Sequence, residues 1–169
     1  MENQPASPSN QAPTLVMKFG GTSVGTPEAM TQAIEIVRKT KEEWPRLVVV
    51  TSALATVTNL LLDSASRAAA GDLHTVYEAE RRLRDLHTGI CEKLVSELAR
   101  CAQVKQEINH LIDDFTNLCR AINVLGEATP RAVDAISAIG ERLSVRLLAA
   151  GLESSGTPAQ YIETTQVIV

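Results

Sequence analysis

Residues 14–23 have the sequence TLVMKFGGTS, and the fold class can be inferred by starting from them. Its first six residues form a short apolar run that ends at Gly20 and Gly21, which predicts a buried strand running into a turn. The two glycines let the backbone approach a ligand closely and point several N–H groups in one direction. With a helix starting a few residues later, such a loop suits phosphate oxygens, although a Gly-Gly turn is also common without any ligand. The loop matches neither the Walker A pattern nor the dinucleotide-binding glycine pattern.

A helix and a second strand are predicted directly after this loop. Thr26 suits a helix N-cap and Pro27 the first helical position, so we expect a helix over residues 27–43. Residues 46–52, RLVVVTS, are too few for a helix and apolar enough to be buried on both faces of a sheet. Strand, helix and strand in this order predict a parallel, right-handed crossover unit. The helix is predicted to bury Met30, Ala33, Ile34 and Val37.

The middle of the chain is predicted to be helical. We expect a first helix over residues 58–70, with Thr58 as its N-cap. A long helical stretch then runs up to Arg100, and another helix covers residues 102–125. Apolar residues recur in steps of three and four, and the break at Cys101 predicts an antiparallel helical hairpin. The predicted seam consists of Val76, Leu83, Ile90 and Leu94 on the first stretch and Val104, Ile108, Leu111, Phe115, Leu118, Ile122 and Leu125 on the second.

The last part of the chain is predicted to add a helix and a strand. Pro130 opens a helix over residues 130–152, and a third strand is expected over residues 159–162. Residues 166–169, QVIV, are an apolar run without a closing element, so we expect a fragment of a longer protein. The predicted organisation is a disordered tail over residues 1–13 and one incomplete domain over residues 14–169.

The composition excludes several classes of protein. The chain has 169 residues, of which 44% are hydrophobic and 21% are charged, as in average soluble globular proteins. Its net charge of −4 argues against a nucleic-acid-binding surface, and no apolar stretch is long enough for a membrane span. The first thirteen residues have neither the basic start nor the apolar run of a secretion signal. We therefore expect a cytoplasmic protein without a nucleic-acid or membrane partner.

The cysteines and histidines of the helical region are predicted to be structural. Cys91, Cys101 and Cys119 are odd in number, widely spaced and without a CxxC pair. This favours free thiols in a reducing compartment, packed as small apolar residues. His74 and His87 are too far apart for a local metal pair and are expected at the surface. No metal site is predicted.

Polar residues at the ends of the two strands are candidates for chemistry. Lys18, at the end of the first strand, supplies a positive point charge for a phosphoryl group. Ser52 and Thr58 follow the second strand, at the edge where open parallel sheets bind ligands. Their hydroxyls suit a carboxylate, and for Thr58 helix capping is an alternative role that is compatible with this one.

Residues 140–144, GERLS, are the third candidate segment. Glu141 lies beside the small Gly140 and shares a helix face with Ser137 and Ser144, so its carboxylate can approach a ligand closely. A solvated glutamate on a helix surface is the alternative interpretation of this segment.

These three segments, in this order, resemble those of aspartate kinases. KFGGTSV at residues 18–24 is the most specific, because related glycine loops of the acetylglutamate, glutamate and uridylate kinases differ from it. The resemblance covers residues 15–169 and implies an α/β fold of the amino-acid-kinase type, a parallel-rich sheet flanked by helices with the helical hairpin inserted after the second strand. The chain would be the N-terminal, amino-acid-binding lobe of that domain, truncated before the nucleotide-binding lobe. The 169-residue chain by itself is not expected to catalyse the reaction.

The activity that the resemblance implies belongs to the whole protein. It is transfer of the γ-phosphoryl group of ATP to the side-chain carboxylate of L-aspartate, which gives 4-phospho-L-aspartate and begins lysine, threonine and methionine biosynthesis. ATP and Mg²⁺ are implied, with the metal held mainly by the nucleotide, and a homo-oligomer is expected. The alternative is a non-catalytic binding module of the same fold that dimerises through the helical hairpin.

The resemblance also implies roles for single residues. Ser52 and Thr58 would hold the aspartate, and Glu141 would pair with its ammonium group. One position departs from the family, because Thr56 stands where a glycine is usual. Threonine tolerates positive φ poorly, so a different conformation of the substrate loop is expected at this position. The implied phosphate-contacting residues are the catalytic Lys18 and the loop residues Gly20, Gly21, Thr22 and Ser23.

Overall fold

The computed structural model describes residues 12–164, which form a small parallel sheet and a larger set of helices. In chain order the elements are β1 (Thr14–Phe19), α1 (Gly21–Val24), α2 (Pro27–Glu43), β2 (Arg46–Thr51), α3 (Val57–Ala69), α4 (Leu73–Leu94), α5 (Leu98–Leu125) and α6 (Pro130–Ser154). Residues 1–11 of the expected tail and the apolar run at residues 166–169 lie outside the described residues. Within residues 12–164 no helix is both long and apolar enough to cross a membrane.

The sheet has the predicted parallel arrangement. β1 and β2 pair in parallel with Thr14 opposite Arg46, and α2 makes the crossover between them. Thr26 caps α2 as predicted, because its side chain accepts a hydrogen bond from Ala29 N at 3.1 Å. The buried residues of α2 are the predicted Met30, Ala33, Ile34 and Val37.

Helices cover only one face of this sheet in the described part of the chain. α2 and α6 pack on the inner face, where Leu47 and Val49 are partly buried. The outer face carries Val16, Val48 and Val50, whose exposed fractions are 62%, 48% and 46%. The expectation that β2 is buried on both faces is therefore wrong for residues 12–164, because a sheet that is packed on one side alternates inner and exposed side chains.

α4 and α5 form the predicted antiparallel hairpin, which packs against α3 and α6. Arg84 Nη1 donates a hydrogen bond to Asn109 Oδ1 across the hairpin at 2.8 Å. Leu125 is exposed at the end of α5 and is the one predicted seam residue that points to solvent, while Leu94 and Leu118 are partly buried. The other predicted seam residues are buried in the core, and the seam is therefore an internal packing surface.

The break between α4 and α5 lies earlier than predicted. α4 ends at Leu94 and α5 begins at Leu98, so Cys101 lies inside a helix and not at the break. Val95 has extended backbone, with φ −112° and ψ 104°, and its side chain is buried. No glycine or proline marks this position, and these are the usual sequence signals for the end of a helix.

His87 is buried, which corrects the expectation that it lies at the surface. It follows Leu83 by four residues and precedes Ile90 by three, so the helix places it on the buried stripe of α4. Its ring Nδ1 is 2.7 Å from the Leu83 carbonyl oxygen, and its Nε2 has no hydrogen-bond partner. Burial lowers the pKa of His87 to about 4, an effect that the hydrogen bond to Leu83 only partly offsets. His74, in contrast, is exposed as predicted.

Residues 157–163 follow α6 without forming the predicted third strand. Side chains hold this segment against α6: the Tyr161 ring centroid is 4.4 Å from the guanidinium carbon of Arg146, and Glu163 Oε1 accepts a hydrogen bond from Arg146 Nη2 at 2.6 Å. Because these contacts lead to a helix and not to a strand edge, residues 159–162 do not pair with β1 or β2.

Candidate functional site

The loops that follow β1 and β2 are joined by their backbones. Ala55 N donates a hydrogen bond to Gly21 O at 3.1 Å. A side chain at Gly21 is excluded, because a Cβ there would lie 2.8 Å from the Ala53 carbonyl oxygen. At Gly20 a Cβ would meet no atom within 4 Å, so the space beside this glycine is open. The two glycines therefore differ: one allows the loops to pack together, and the other faces free space.

α6 contacts the loop after β2, residues 52–56, which we call the second loop, at Gly140. A Cβ at Gly140 would lie 2.7 Å from the Cβ of Ala53. The next residue, Glu141, accepts a hydrogen bond from Ala53 N, with 3.4 Å between N and Oε1. One turn further along α6, Ser144 Oγ is 3.1 Å from Thr51 Oγ1 in a buried hydrogen bond. The structure therefore brings the three predicted segments together around Ala53.

Lys18 lies at the same carboxyl end of the sheet as Ala53, but its side chain is on the outer face of the sheet and not on the face that α6 covers. It is the last residue but one of β1 and lies opposite Val50. Because side chains alternate along a strand, Lys18 is exposed on the outer face while Phe19 is buried on the inner face that α6 covers. A ligand that contacts both Lys18 and Glu141 must therefore extend over the carboxyl end of the sheet.

The glycine loop continues into α1, which is a single helical turn. The first N–H groups of a helix have no partner within that helix, and α1 begins at Gly21. Ser23 N, one of these groups, donates to Gly20 O at 2.9 Å. The side chains of Thr22 and Ser23 are exposed. Backbone donors, hydroxyl groups and the exposed Lys18 therefore lie within a few residues of one another, a donor set that fits phosphate oxygens.

The loop after β2 keeps the conformation that a glycine would favour, although it contains Thr56. Thr56 has φ 71° and ψ −13° and is the one residue other than glycine with positive φ among residues 12–164. It is also the N-cap of α3, without a capping hydrogen bond from its side chain. The expectation that Thr58 is the N-cap is therefore wrong: α3 begins at Val57, and half-buried Thr58 lies in its first turn.

Replacing Thr56 by glycine is expected to stabilise the fold. A non-glycine residue in the left-handed region costs about 1–2 kcal/mol, and the added freedom of glycine in the unfolded chain cancels part of this gain. We expect Thr56→Gly to raise the free energy of unfolding by about 1 kcal/mol, measured by urea denaturation. Thr56→Ala is the matched control, because alanine keeps the Cβ and hence most of the strain. Equal stability of the glycine and alanine variants would contradict a strained Thr56.

A cluster of ion pairs fixes the chain after α6, and no motif in the sequence points to it. Glu163 Oε1 accepts hydrogen bonds from Arg146 and, at 3.2 Å, from Arg142 Nε. Burial alone would raise the pKa of Glu163, but the hydrogen bonds and charges of the two arginines outweigh burial and lower it. Tyr161 OH donates to Glu107 Oε2 at 3.2 Å and ties the same segment to α5.

The described residues contain no cluster of three His, Cys, Asp or Glu side chains that could hold a metal.

Several known proteins are similar to this chain. Residues 13–169 match the model of the amino acid kinase family. Aspartokinase 3, chloroplastic, of Arabidopsis thaliana is 32% identical over an alignment of 156 residues, with 91% of this chain and 26% of that protein covered. The aspartokinase of Candida albicans is 33% identical over an alignment that is 179 residues long, with 96% of this chain and 31% of that protein covered.

A solved structure has a fold similar to that of this chain. The crystal structure of E. coli aspartokinase III in complex with aspartate and ADP superimposes with a TM-score of 0.76 at 28% identity. It covers 90% of this chain, which in turn covers 31% of the E. coli protein. The chain thus spans less than a third of the length of these relatives. Matched along nearly its whole length by the family model, the chain belongs to the amino acid kinase family.

Proposed function

We propose that this chain is the part of an aspartate kinase that binds the amino acid and contacts the transferred phosphoryl group. The whole protein would transfer the γ-phosphoryl group of ATP to the side-chain carboxylate of L-aspartate and so produce 4-phospho-L-aspartate. The relatives are aspartokinases, and the similar E. coli structure holds aspartate and ADP. The first step of lysine, threonine and methionine biosynthesis and a homo-oligomeric assembly are part of this proposal.

The observation that carries the proposal is the meeting of three chemically distinct segments at one sheet edge. The glycine loop offers backbone donors and open space at Gly20, Ser52 of the second loop and Thr58 at the start of α3 offer hydroxyls, and α6 offers a carboxylate. Gly140 and Gly21 both lack the Cβ that would push these segments apart at Ala53. Close packing at two glycines is needed to bring a helix and two loops into one site, and simple turns do not require it.

Each residue has a role that its position supports. The loop at Gly20 and the turn of α1 would hold phosphate oxygens through N–H groups, and Lys18 would neutralise charge that shifts during the in-line transfer. Ser52 and Thr58 would bind a carboxylate of the aspartate, and Glu141 would pair with its ammonium group. Mg²⁺ bound to the nucleotide would neutralise charge on the β- and γ-phosphates.

The non-catalytic alternative is less well supported. It requires the hairpin to offer an apolar seam for dimerisation, but Leu83, Ile108 and Phe115 of that seam are fully buried inside the chain. Three apolar residues of α5 remain exposed, with Leu98 at one end of this helix of 28 residues and Val124 and Leu125 at the other. Residues that far apart, about 40 Å along the axis, do not form one continuous patch.

Replacing Glu141 by glutamine in the whole protein tests the proposal. Glutamine keeps an acceptor for Ala53 N but loses the charge that would pair with the substrate ammonium group. A hydrogen bond to a charged group contributes about 1.5–3 kcal/mol, so we expect the KM for aspartate to rise about 10- to 150-fold. The KM for ATP should stay within about twofold, because the proposed ammonium contact does not involve the nucleotide.

Glu97→Gln is the matched control for this experiment. Glu97 is exposed beside Ser96, whose N–H donates to Ser154 Oγ at the end of α6. Thirteen residues of helix, about 20 Å, separate Ser154 from Glu141. The control should leave both KM values unchanged. An unchanged aspartate KM in Glu141→Gln would remove this residue from the site, and a loss of thermal stability alone would make it a structural acid.

A further inference from the structure

The junction between α4 and α5 holds two of the three cysteines side by side. Cys91 lies in the last turn of α4 and Cys101 in the first turn of α5, and their Sγ atoms are 3.6 Å apart. A disulfide has an S–S bond of about 2.05 Å, so the two sulfurs would have to approach by about 1.5 Å. Cysteines that are ten residues apart in sequence are thus already neighbours in the folded chain.

The start of α5 lacks two of the features that usually hold a helix start in place. Residues 95–97 are not helical, and the N-cap of α5, Glu97, makes no capping hydrogen bond with its side chain. Leu98, the first residue of the helix, is 88% exposed. The contacts that do hold this turn are those of Ser96 and Arg100 to Ser154 and Glu153 of α6. Partly exposed contacts of this kind contribute little to stability, so a shift of about 1.5 Å is accessible to the first turn.

The two cysteines differ in their access to solvent. Cys101 is 7% exposed and Cys91 is fully buried. Burial, together with the contact to Cys101, raises the pKa of Cys91 to about 12, so its thiol stays protonated at neutral pH. Cys101 is therefore the residue of this pair that we expect a small oxidant in solution to reach first. Cys119 is also fully buried, and burial raises its pKa to about 12.

We propose that Cys91 and Cys101 are a modification site at which a hydroperoxide forms a reversible disulfide. In the first step the Cys101 sulfur attacks one oxygen of the hydroperoxide; the S–O bond forms, the O–O bond breaks, and the leaving oxygen takes the thiol proton and departs as water or alcohol, which leaves a sulfenic acid on Cys101. In the second step the Cys91 sulfur attacks the Cys101 sulfur; the S–S bond forms, the S–O bond breaks, and water leaves with the Cys91 proton. Two thiols are oxidised by two electrons, and the peroxide is reduced. A dithiol reverses the reaction by exchange.

The new bond would tie the hairpin to a junction that α6 also uses. Ser96 N donates to Ser154 Oγ at 3.3 Å, and Arg100 Nη2 is 2.9 Å from Glu153 Oε2. Ser96 and Arg100 lie between the two cysteines in sequence. The disulfide would therefore close a covalent loop that contains both residues that contact α6. The site is independent of the proposed kinase chemistry, because none of its residues belongs to the glycine loop, the second loop or the Glu141 segment.

Peptide mapping of the whole native protein tests the proposal. The protein is treated with hydrogen peroxide, its remaining thiols are alkylated under denaturing conditions, and it is digested with trypsin without reduction. Lys93 and Arg100 allow cleavage between the two cysteines, so the disulfide joins separate peptides. We expect a linked pair that is lighter by two hydrogens than the sum of its parts and that disappears after treatment with dithiothreitol. Alkylated Cys91 and Cys101 without any linked pair would overturn the proposal.

Three serine variants separate the roles of the cysteines. Cys119→Ser is the matched control and should form the same linked pair as the unchanged protein. Cys91→Ser should stop at the sulfenic acid on Cys101, which a dimedone-type reagent traps. Cys101→Ser should leave Cys91 reduced under the same treatment. Oxidation of Cys91 in Cys101→Ser at the original rate, or a pairing of Cys119 with either cysteine, would contradict the proposed order of events.

Discussion

Replacing Lys18 by alanine in the whole protein is expected to lower kcat about 100- to 1,000-fold, because one preorganised electrostatic contact to the transition state contributes about 2.7–4 kcal/mol. Lys18 is exposed on the outer face of β1, beside the open space at Gly20, where it would meet the charge that moves during phosphoryl transfer. The KM for aspartate should change little, because Glu141 and the second loop lie across the sheet edge. Steady-state kinetics with each substrate varied in turn measure both effects.

Lys39→Ala serves as the control for this experiment. Lys39 is an exposed lysine on α2, outside the three segments that meet at Ala53, and its removal makes the same change in net charge. Normal kcat in this control separates a local effect from a general change in charge. A kcat of Lys18→Ala within a few-fold of the unchanged protein would exclude Lys18 from the mechanism.

The second large effect concerns acid stability and arises at His87. The pKa of His87 is about 4 in the folded chain and about 6.5 in an unfolded chain. Between these values the unfolded state binds one more proton, so stability is complete above pH 6.5 and decreases as the pH falls towards 4. A difference of about 2.5 units corresponds to about 3 kcal/mol, which is a large part of the stability of a typical domain.

His87→Leu is expected to remove this acid sensitivity. Leucine has no titrating group and fills a site that lies between Leu83 and Ile90 on the same buried stripe. Melting temperatures from pH 7.5 to pH 4.5 should fall more steeply for the unchanged protein than for His87→Leu. His74→Gln, an exposed substitution on the same helix, should follow the unchanged protein. Parallel curves for the unchanged protein and His87→Leu would show that other groups determine the acid response.

The fold was predictable wherever local signals and burial agree. α2 is an example, because its cap at Thr26 and its apolar spacing both point to the same helix. His87 shows the limit of this reasoning, since its residue type favours the surface while its spacing from Leu83 favours the core. Spacing decides the outcome there, because a helix that is packed on its neighbours buries whatever residue falls on the stripe. The missing third strand has a different cause, since Arg146 and Glu163 make contacts that no local pattern contains.

The single segments of the candidate site were predictable from the sequence, but the contacts that bring them together were not. Lys18, the glycine loop and Glu141 stand out in the sequence by residue type and by their place after strands or on a helix. Ala53 does not, although all three segments meet around it. A small residue at a point of contact between a helix and two loops leaves no periodic signal. Thr51 is similar, because its bond to Ser144 joins residues that are 93 positions apart.

The exposed outer face of the sheet has a consequence for handling residues 1–169 as an isolated polypeptide. In the described part of the chain β1 and β2 form a sheet of two strands, so each strand has one edge without a strand partner, next to Val16, Val48 and Val50. Open edges beside apolar patches promote aggregation, and a charged residue within such a strand opposes it as a gatekeeper. Lys18 is the charged residue of β1 on this face. The lysine that is proposed to contact the phosphoryl group would thus also oppose aggregation of the isolated polypeptide.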